Sequence, residues 1–328
     1  MSRSGPLIID VQGTSLTAVE REMLAHPWVG GVIFFTRNFE SPSQIAALTR
    51  EIHEVPRPGH GSRLLVSVDH EGGRVQRFRQ GFTEIPAMST LGALWSEHQE
   101  DQLAALAEAR RLGHVLAKEL RAVGIDFSYA PVLDLNWSRS DIIGERAFHR
   151  DPQVVSLLAG AVMHGLAIAG MRNCAKHFPG HGLAIADSHL DLPVDDRSLE
   201  EILRDDALPY ALLGSPTISA VMPAHIRYAQ VDQMPAGFSR IWCHDILRER
   251  LGFEGVIISD DLSMAGAAVL DDVVDRAEAA FEAGCDATLI CNRPDLAERV
   301  LSELPTRMPE FLSSTSRRGL EALHALGR

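Results

Sequence analysis

Long hydrophobic runs are missing from this 328-residue chain. No stretch of about 18 consecutive apolar residues occurs, which argues against a membrane-spanning helix. Positive charge is scarce as well. Lys and Arg number 31 against 44 Asp and Glu, for a formal net charge of −13. A surface of that sign repels phosphate backbones, so nucleic acid is not an expected partner. Cysteines are few, and Cys174, Cys243, Cys285 and Cys291 form no CxxC pair of the metal-binding kind. Buried free thiols in a reducing cytoplasm are expected instead. The opening Met1-Ser2-Arg3-Ser4-Gly5-Pro6 leads straight into a short strand and shows no signal-peptide h-region. After that strand, Asp10-Val11-Gln12-Gly13-Thr14 is not the glycine-rich fingerprint of a dinucleotide-binding fold. Neither a linker nor a low-complexity segment divides the chain, so residues 1–328 are expected to form one domain.

What is present is a repeating order of short apolar runs and longer amphipathic stretches. Strands are expected at Leu7–Ile9, Gly31–Phe35, Leu64–Val68, Ile125–Tyr129, Arg172–Ala175, Ala220–Met222, Val256–Ile258 and Ala287–Ile290. Helical stretches run from Thr17 to Ala25, Ser41 to His53, about Glu97 to Val123, Pro152 to Ala169, Ser198 to Leu213, Arg240 to Leu251, and Asp271 to Ala283. Two more begin at Asp295 and Leu312. In the longest, Leu103, Leu106, Leu112, Val115, Leu116 and Leu120 recur at helical spacing. The strands are near-continuously apolar and rich in β-branched residues, as befits strands buried on both faces. Eight strands alternating with eight helical regions predict an α/β fold, a (β/α)8 TIM barrel. A doubly wound open sheet is the alternative.

The densest chemistry lies in Lys176-His177-Phe178-Pro179-Gly180-His181-Gly182, followed by Asp187-Ser188-His189. Two glycines and a proline argue against a regular helix there and let the backbone approach a ligand. So many titratable groups are costly to bury unless something polar binds among them.

Polar residues also collect just after the other strands. Asp69 and Glu71 follow the third, Asp134 and Asn136 the fourth, His225 the sixth, Asp260-Asp261 the seventh, and Asn292-Arg293 the eighth. In a barrel these converge on the C-terminal mouth, where catalytic groups sit. Helix capping accounts for some of the Asp and Ser residues but not for the lysine and histidines.

Five motifs then occur in order: Asp69-His70-Glu71-Gly72-Gly73-Arg74-Val75-Gln76-Arg77, Ile143-Gly144-Glu145-Arg146-Ala147-Phe148, Lys176 to Gly182, Asp187-Ser188-His189, and Ser259-Asp260-Asp261-Leu262-Ser263-Met264. On these the chain resembles the family 3 glycoside hydrolases from Ile8 to about Asn292. More narrowly, it resembles the single-domain bacterial β-N-acetylglucosaminidases of cell-wall recycling. It departs from the family at His70, where Gln is common, and at Ala147, where Ser is common. Neither position is assigned to chemistry.

The resemblance implies a retaining mechanism. Asp260 is the expected nucleophile, with Asp261 as its competitor or as a helix cap. His189, oriented by Asp187, is the expected acid/base. A carboxylate on one ring nitrogen fixes the tautomer and stabilises the imidazolium, and an imidazole can donate and then accept a proton near neutrality. Asp69, Arg77, Arg146, Lys176 and His177 are expected to hold a terminal N-acetylglucosamine, with His225 and Met264 at the mouth. No cofactor is implied and no metal. A metal site built from His177, His181, Asp187 and His189 is the rival reading, opposed by the adjacent Lys176. The implied substrate is a muropeptide carrying N-acetylglucosamine on anhydro-N-acetylmuramic acid, handled by a cytoplasmic monomer. The loop from Phe178 to Pro193 is expected to move, bringing His189 in once sugar is bound. Two alternatives stay open: a phosphorylase that passes the sugar to phosphate, and a sugar-binding barrel without activity.

Overall fold

The computed structural model describes residues 5–57, 63–184, 192–314 and 317–327. Among these, eight parallel strands make one sheet: β1 (Leu7–Asp10), β2 (Val29–Phe34), β3 (Leu65–Val68), β4 (Phe127–Ser128), β5 (Cys174–Phe178), β6 (Ala220–Pro223), β7 (Val256–Asp261) and β8 (Ala287–Ile290). Their order is β4-β3-β2-β1-β8-β7-β6-β5, so every strand is paired with its sequence neighbours except β4 with β5. Parallel bridges Phe127↔Arg172 and Val132↔Lys176 join the two outer strands and nearly close the sheet into the expected barrel. The Leu133 amide reinforces that seam by donating to the Lys176 carbonyl at 2.7 Å.

Each strand alternates between two hydrophobic clusters, as period-two geometry requires. Ile8, Ile33, Leu65, Phe127, Cys174, Ala220, Ile258 and Leu289 fill the barrel interior. Their neighbours Leu7, Ile9, Val32, Phe34, Val66, Ala175, Val221 and Ile257 pack outward against the helices. Leu323 and Leu326, on and just after the C-terminal helix Arg317–Ala325, join the interior cluster and plug its floor. The four cysteines are buried and free.

Capping explains where several helices begin. Thr17 caps Ala18–Ala25 in a reciprocal box with Glu20, Ser41 caps Pro42–His53, and Asp272 caps Val273–Ala283. The helices Gln99–Ala122 and Pro152–Ile168 pack closely, because Gly113 lies against the Val162 carbonyl, where a Cβ would stand 2.3 Å away. Ala105, Ala109, Leu112, Leu116 and Leu120 form the buried face of the longer helix. Leu103 lies on the opposite face and is 58% exposed, unlike the rest of the stripe read from the sequence.

Several expected boundaries shift. β5 begins at Cys174 rather than Arg172 and continues through Lys176 and His177, and β7 continues through Asp260 and Asp261. The polar residues read as following these strands therefore belong to them. The stretch 198–213 is not one helix but Leu199–Arg204 and Leu208–Thr217. It breaks at Asp205-Asp206-Ala207, where the fully buried Asp206 accepts hydrogen bonds from Trp137 Nε1 at 2.9 Å and Arg197 Nη1 at 2.5 Å.

Candidate active site

The inward-facing register continues past the apolar core and places chemistry at the mouth. Asp69 follows Leu65 and Ser67 at two-residue intervals, Lys176 follows Cys174, and Asp260 follows Ile258. The ladders slip by one residue between Lys176 and Phe178, and between Ile258 and Asp261. Such irregularities re-aim side chains at strand ends. The result is one cavity of about 380 Å³ lined by Asp69, Arg77, Arg146, Lys176, His177 and Asp260, together with Glu71, Asp261 and Met264. Six of the eight site residues expected from the sequence thus meet in a single mouth. The other two, Asp187 and His189, lie outside the described residues, as do residues 185–191 of the loop expected to move.

On the β3 side of the mouth, the hairpin formed by His70–Gly72 and Val75–Gln76 presents two carboxylates to three cations. Arg146 grips Glu71 with a two-pronged pair, Nη2 to Oε1 at 2.8 Å and Nε to Oε2 at 2.9 Å. Lys176 Nζ lies 2.6 Å from Glu71 Oε1 and 2.8 Å from Asp69 Oδ1, and Arg77 lies 3.6 Å from Asp69. Burial pushes the Glu71 carboxyl up, but Arg146 and Lys176 hold it well below the usual carboxylate range. Burial likewise opposes the Lys176 ammonium, yet Asp69 and Glu71 raise its pKa, so it stays charged. A fixed set of alternating charges of this kind can both donate to and accept from sugar hydroxyls.

The two aspartates ending β7 are held differently. The Asp261 carboxylate accepts from the Ser263 amide at 2.9 Å, the Ser263 hydroxyl at 2.7 Å and the Cys291 amide at 3.0 Å. Burial still pushes its pKa up to about 6. The Asp260 carboxylate accepts from the Asp261 amide at 2.8 Å and lines the cavity. Burial pushes Asp260 up, but His225 and His177 lower it further, so it is an anion at neutral pH.

His177 lines the cavity from β5, and its Nδ1 meets Asp134 Oδ2 at 2.8 Å. His181 stands edge-on to it, with ring centroids 5.7 Å apart. Burial, and then His177, lowers His181 to about 4. Gly182 is required beside it, since a Cβ would meet the Leu135 carbonyl oxygen at 1.9 Å. His225 sits behind the cavity wall rather than on it, donating from Nε2 to the Asp261 carbonyl at 3.1 Å. Among the described residues, no group of three or more His, Cys, Asp or Glu is arranged to hold a metal ion, although half of the rival ligand set is not among them.

Sequence reasoning gave no role to Glu71 or Asp134, whose importance lies in partners up to 105 residues away. It also missed Phe35, which lines the mouth beneath Arg37 at 4.7 Å and Arg77 at 5.7 Å from its ring centre. The signal for Phe35 was present: it lies two residues beyond the inward-facing Ile33. His70 is buried against Phe78 and Phe82, and burial lowers it to about 3.

Comparison with known proteins agrees with this architecture. The model of the glycosyl hydrolase family 3 N terminal domain matches residues 7–317. A β-hexosaminidase of Bordetella avium is 55% identical over 306 residues, covering 93% of this chain and 85% of that protein. One of Thiobacillus denitrificans is 54% identical over 305 residues, covering 93% and 83%. Among solved structures, NagZ from Neisseria gonorrhoeae in complex with N-trifluoroacetyl-D-glucosamine superposes with a TM-score of 0.85 at 43% identity, covering 99% of this chain and 98% of that one. With the family model spanning the barrel and its mouth, the chain belongs to glycosyl hydrolase family 3 and is a glycoside hydrolase.

Proposed function

We propose that this glycoside hydrolase is a retaining exo-β-N-acetylglucosaminidase. The observation that carries the reading is Asp260, an anionic carboxylate turned into a cavity whose other wall is the Asp69–Lys176–Glu71–Arg146 charge network. A carboxylate so placed can attack an anomeric carbon and form a glycosyl-enzyme while the network holds the hydroxyls. A cavity of about 380 Å³ is near the small end of ligand pockets, which favours one terminal sugar over an internal segment of a polymer. The relatives' name, β-hexosaminidase, and the neighbour solved with N-trifluoroacetyl-D-glucosamine both favour a 2-acetamido sugar.

Asp187 and His189 are proposed as the acid/base pair on the sequence motif alone. The imidazole would protonate the leaving oxygen and then deprotonate the water that releases the sugar. The proposed natural substrate is a cytoplasmic muropeptide bearing N-acetylglucosamine on anhydro-N-acetylmuramic acid, met in cell-wall recycling. No helix among the described residues is long and apolar enough to cross a membrane.

The test is release of p-nitrophenol from the N-acetyl-β-glucosaminide and from the β-glucoside, each with and without phosphate. The proposal predicts strong preference for the acetamido sugar and a free-sugar product unaffected by phosphate. A sugar 1-phosphate product would identify a phosphorylase. Binding without aglycone release would identify a sugar-binding barrel.

A further inference from the structure

Two backbone amides and one ring nitrogen converge on a carboxylate behind the cavity. Asp134 is fully buried. Its Oδ1 accepts from the His177 amide at 3.2 Å and from the His181 amide at 2.7 Å, and its Oδ2 meets His177 Nδ1 at 2.8 Å. We propose that Asp134 is a positioning residue of the glycosidase site, fixing the ring and tautomer of His177 and fastening the chain where it leaves β5 at His181. This rests on the reading that His177 holds the sugar.

The argument is one of hydrogen-bond inventory. Burial pushes the Asp134 carboxyl up, but His177 and then His181 hold it below its ordinary value, so it is ionised and can only accept. The two amides can only donate. The Nδ1 nitrogen facing Oδ2 must therefore carry a hydrogen, and Nε2 is the ring nitrogen left to face the cavity that His177 lines. A free imidazole exchanges between tautomers, and a sugar hydroxyl would then meet a changing partner. The same carboxylate holds His181 in place, so the start of the loop and the sugar-binding ring share one anchor. Other contacts secure that loop base. Tyr228 donates to the Gly180 carbonyl at 2.8 Å, and the short parallel pair Val194–Asp195 and Arg227–Tyr228 joins the returning chain to the residues after β6. Neither of these touches the His177 ring.

Asp134→Asn is the informative substitution. One amide oxygen cannot accept from all three donors, and its NH2 cannot face Nδ1–H. The strain is relieved when the His177 proton moves from Nδ1 to Nε2 and Nδ1 accepts from the amide. Nitrogen-15 spectra of histidine-labelled, sugar-free enzyme read this directly, with His177 assigned by its loss in His177→Ala. In the wild type we expect Nδ1 protonated, and in Asp134→Asn we expect the proton on Nε2. With p-nitrophenyl N-acetyl-β-glucosaminide, kcat/KM should fall about 10–100-fold, the range seen when the partner that orients a metal-ligating histidine is removed. Most of that loss should vanish when Asp134→Asn is made in a His177→Ala background. A bare Nδ1 in the wild type overturns the proposal with no variant needed. So does an equal loss in both backgrounds. Unchanged kinetics in His177→Ala alone would instead overturn the sugar-binding reading and leave the spectroscopic result intact.

Discussion

Asp260 and Asp261 are consecutive on β7, yet one carboxylate is turned to the cavity and the other is bound by three donors from Ser263 and Cys291. The difference follows from the strand's period of two and the slip in its ladder after Ile258. It makes the paired substitutions diagnostic. Asp260→Ala should lower kcat by several orders of magnitude with little change in melting temperature. Asp261→Asn should keep more activity but lose stability, by about 1–3 kcal/mol for the hydrogen bonds it weakens. Steady-state rates and thermal melts on the two variants check this. Equal catalytic losses would remove the distinction.

The two carboxylates facing Lys176 should also separate. Glu71→Gln leaves two buried cations short of a counter-charge, and breaking a buried pair of this kind costs about 3–5 kcal/mol. Asp69→Asn touches a carboxylate that is 21% exposed and further from Arg146, so its stability loss should be smaller than that of Glu71→Gln and its effect should fall on KM. Denaturant melts and kinetics of both variants test the contrast.

Stability should fall in mild acid through His70. Burial lowers this imidazole to about 3 in the folded chain, against an unfolded value near 6.5. The unfolded state then takes up the proton first. The contribution is fully present above pH 6.5 and is lost as pH falls towards 3, by about 1.4 kcal/mol per pH unit at its steepest. His70→Gln should flatten the curve between pH 6.5 and 4.5. An unchanged slope would place the loss elsewhere.

Asp261 should act with the opposite sign. Burial raises it to about 6 from an unfolded value near 3.8. The folded state then holds the proton more tightly, so this contribution is present below 3.8 and is lost as pH rises through 6. Asp261→Asn should remove it, by about 3 kcal/mol at most between pH 4 and 7. Urea melts of both proteins at the two pH values provide the check.

The barrel was legible because its signal is local: eight β-branched apolar runs with amphipathic stretches between them. The ends of β5 and β7 were not. Apolar periodicity stops at Ala175 and Ile258, while the ladder continues through Lys176↔Met222 and Asp261↔Leu289. The break at Asp206 was hidden for a related reason, since only Trp137 and Arg197 explain a buried carboxylate within a helical stretch. Cavity residues carried by motifs were named from the sequence. Glu71 lies inside one of those motifs and Asp134 just beyond β4, but their work is to hold other side chains. Such pairings between strand ends leave no trace in spacing. The expected acid/base pair, Asp187 and His189, rests on its motif alone.

The most direct test is to trap the intermediate. Incubation with a fluorinated N-acetylglucosaminyl donor that glycosylates quickly and turns over slowly, followed by proteolysis and mass spectrometry, should find the sugar esterified to the Asp260 carboxylate. An adduct on Asp261 or any other side chain, or full turnover with no adduct under trapping conditions, would contradict the account.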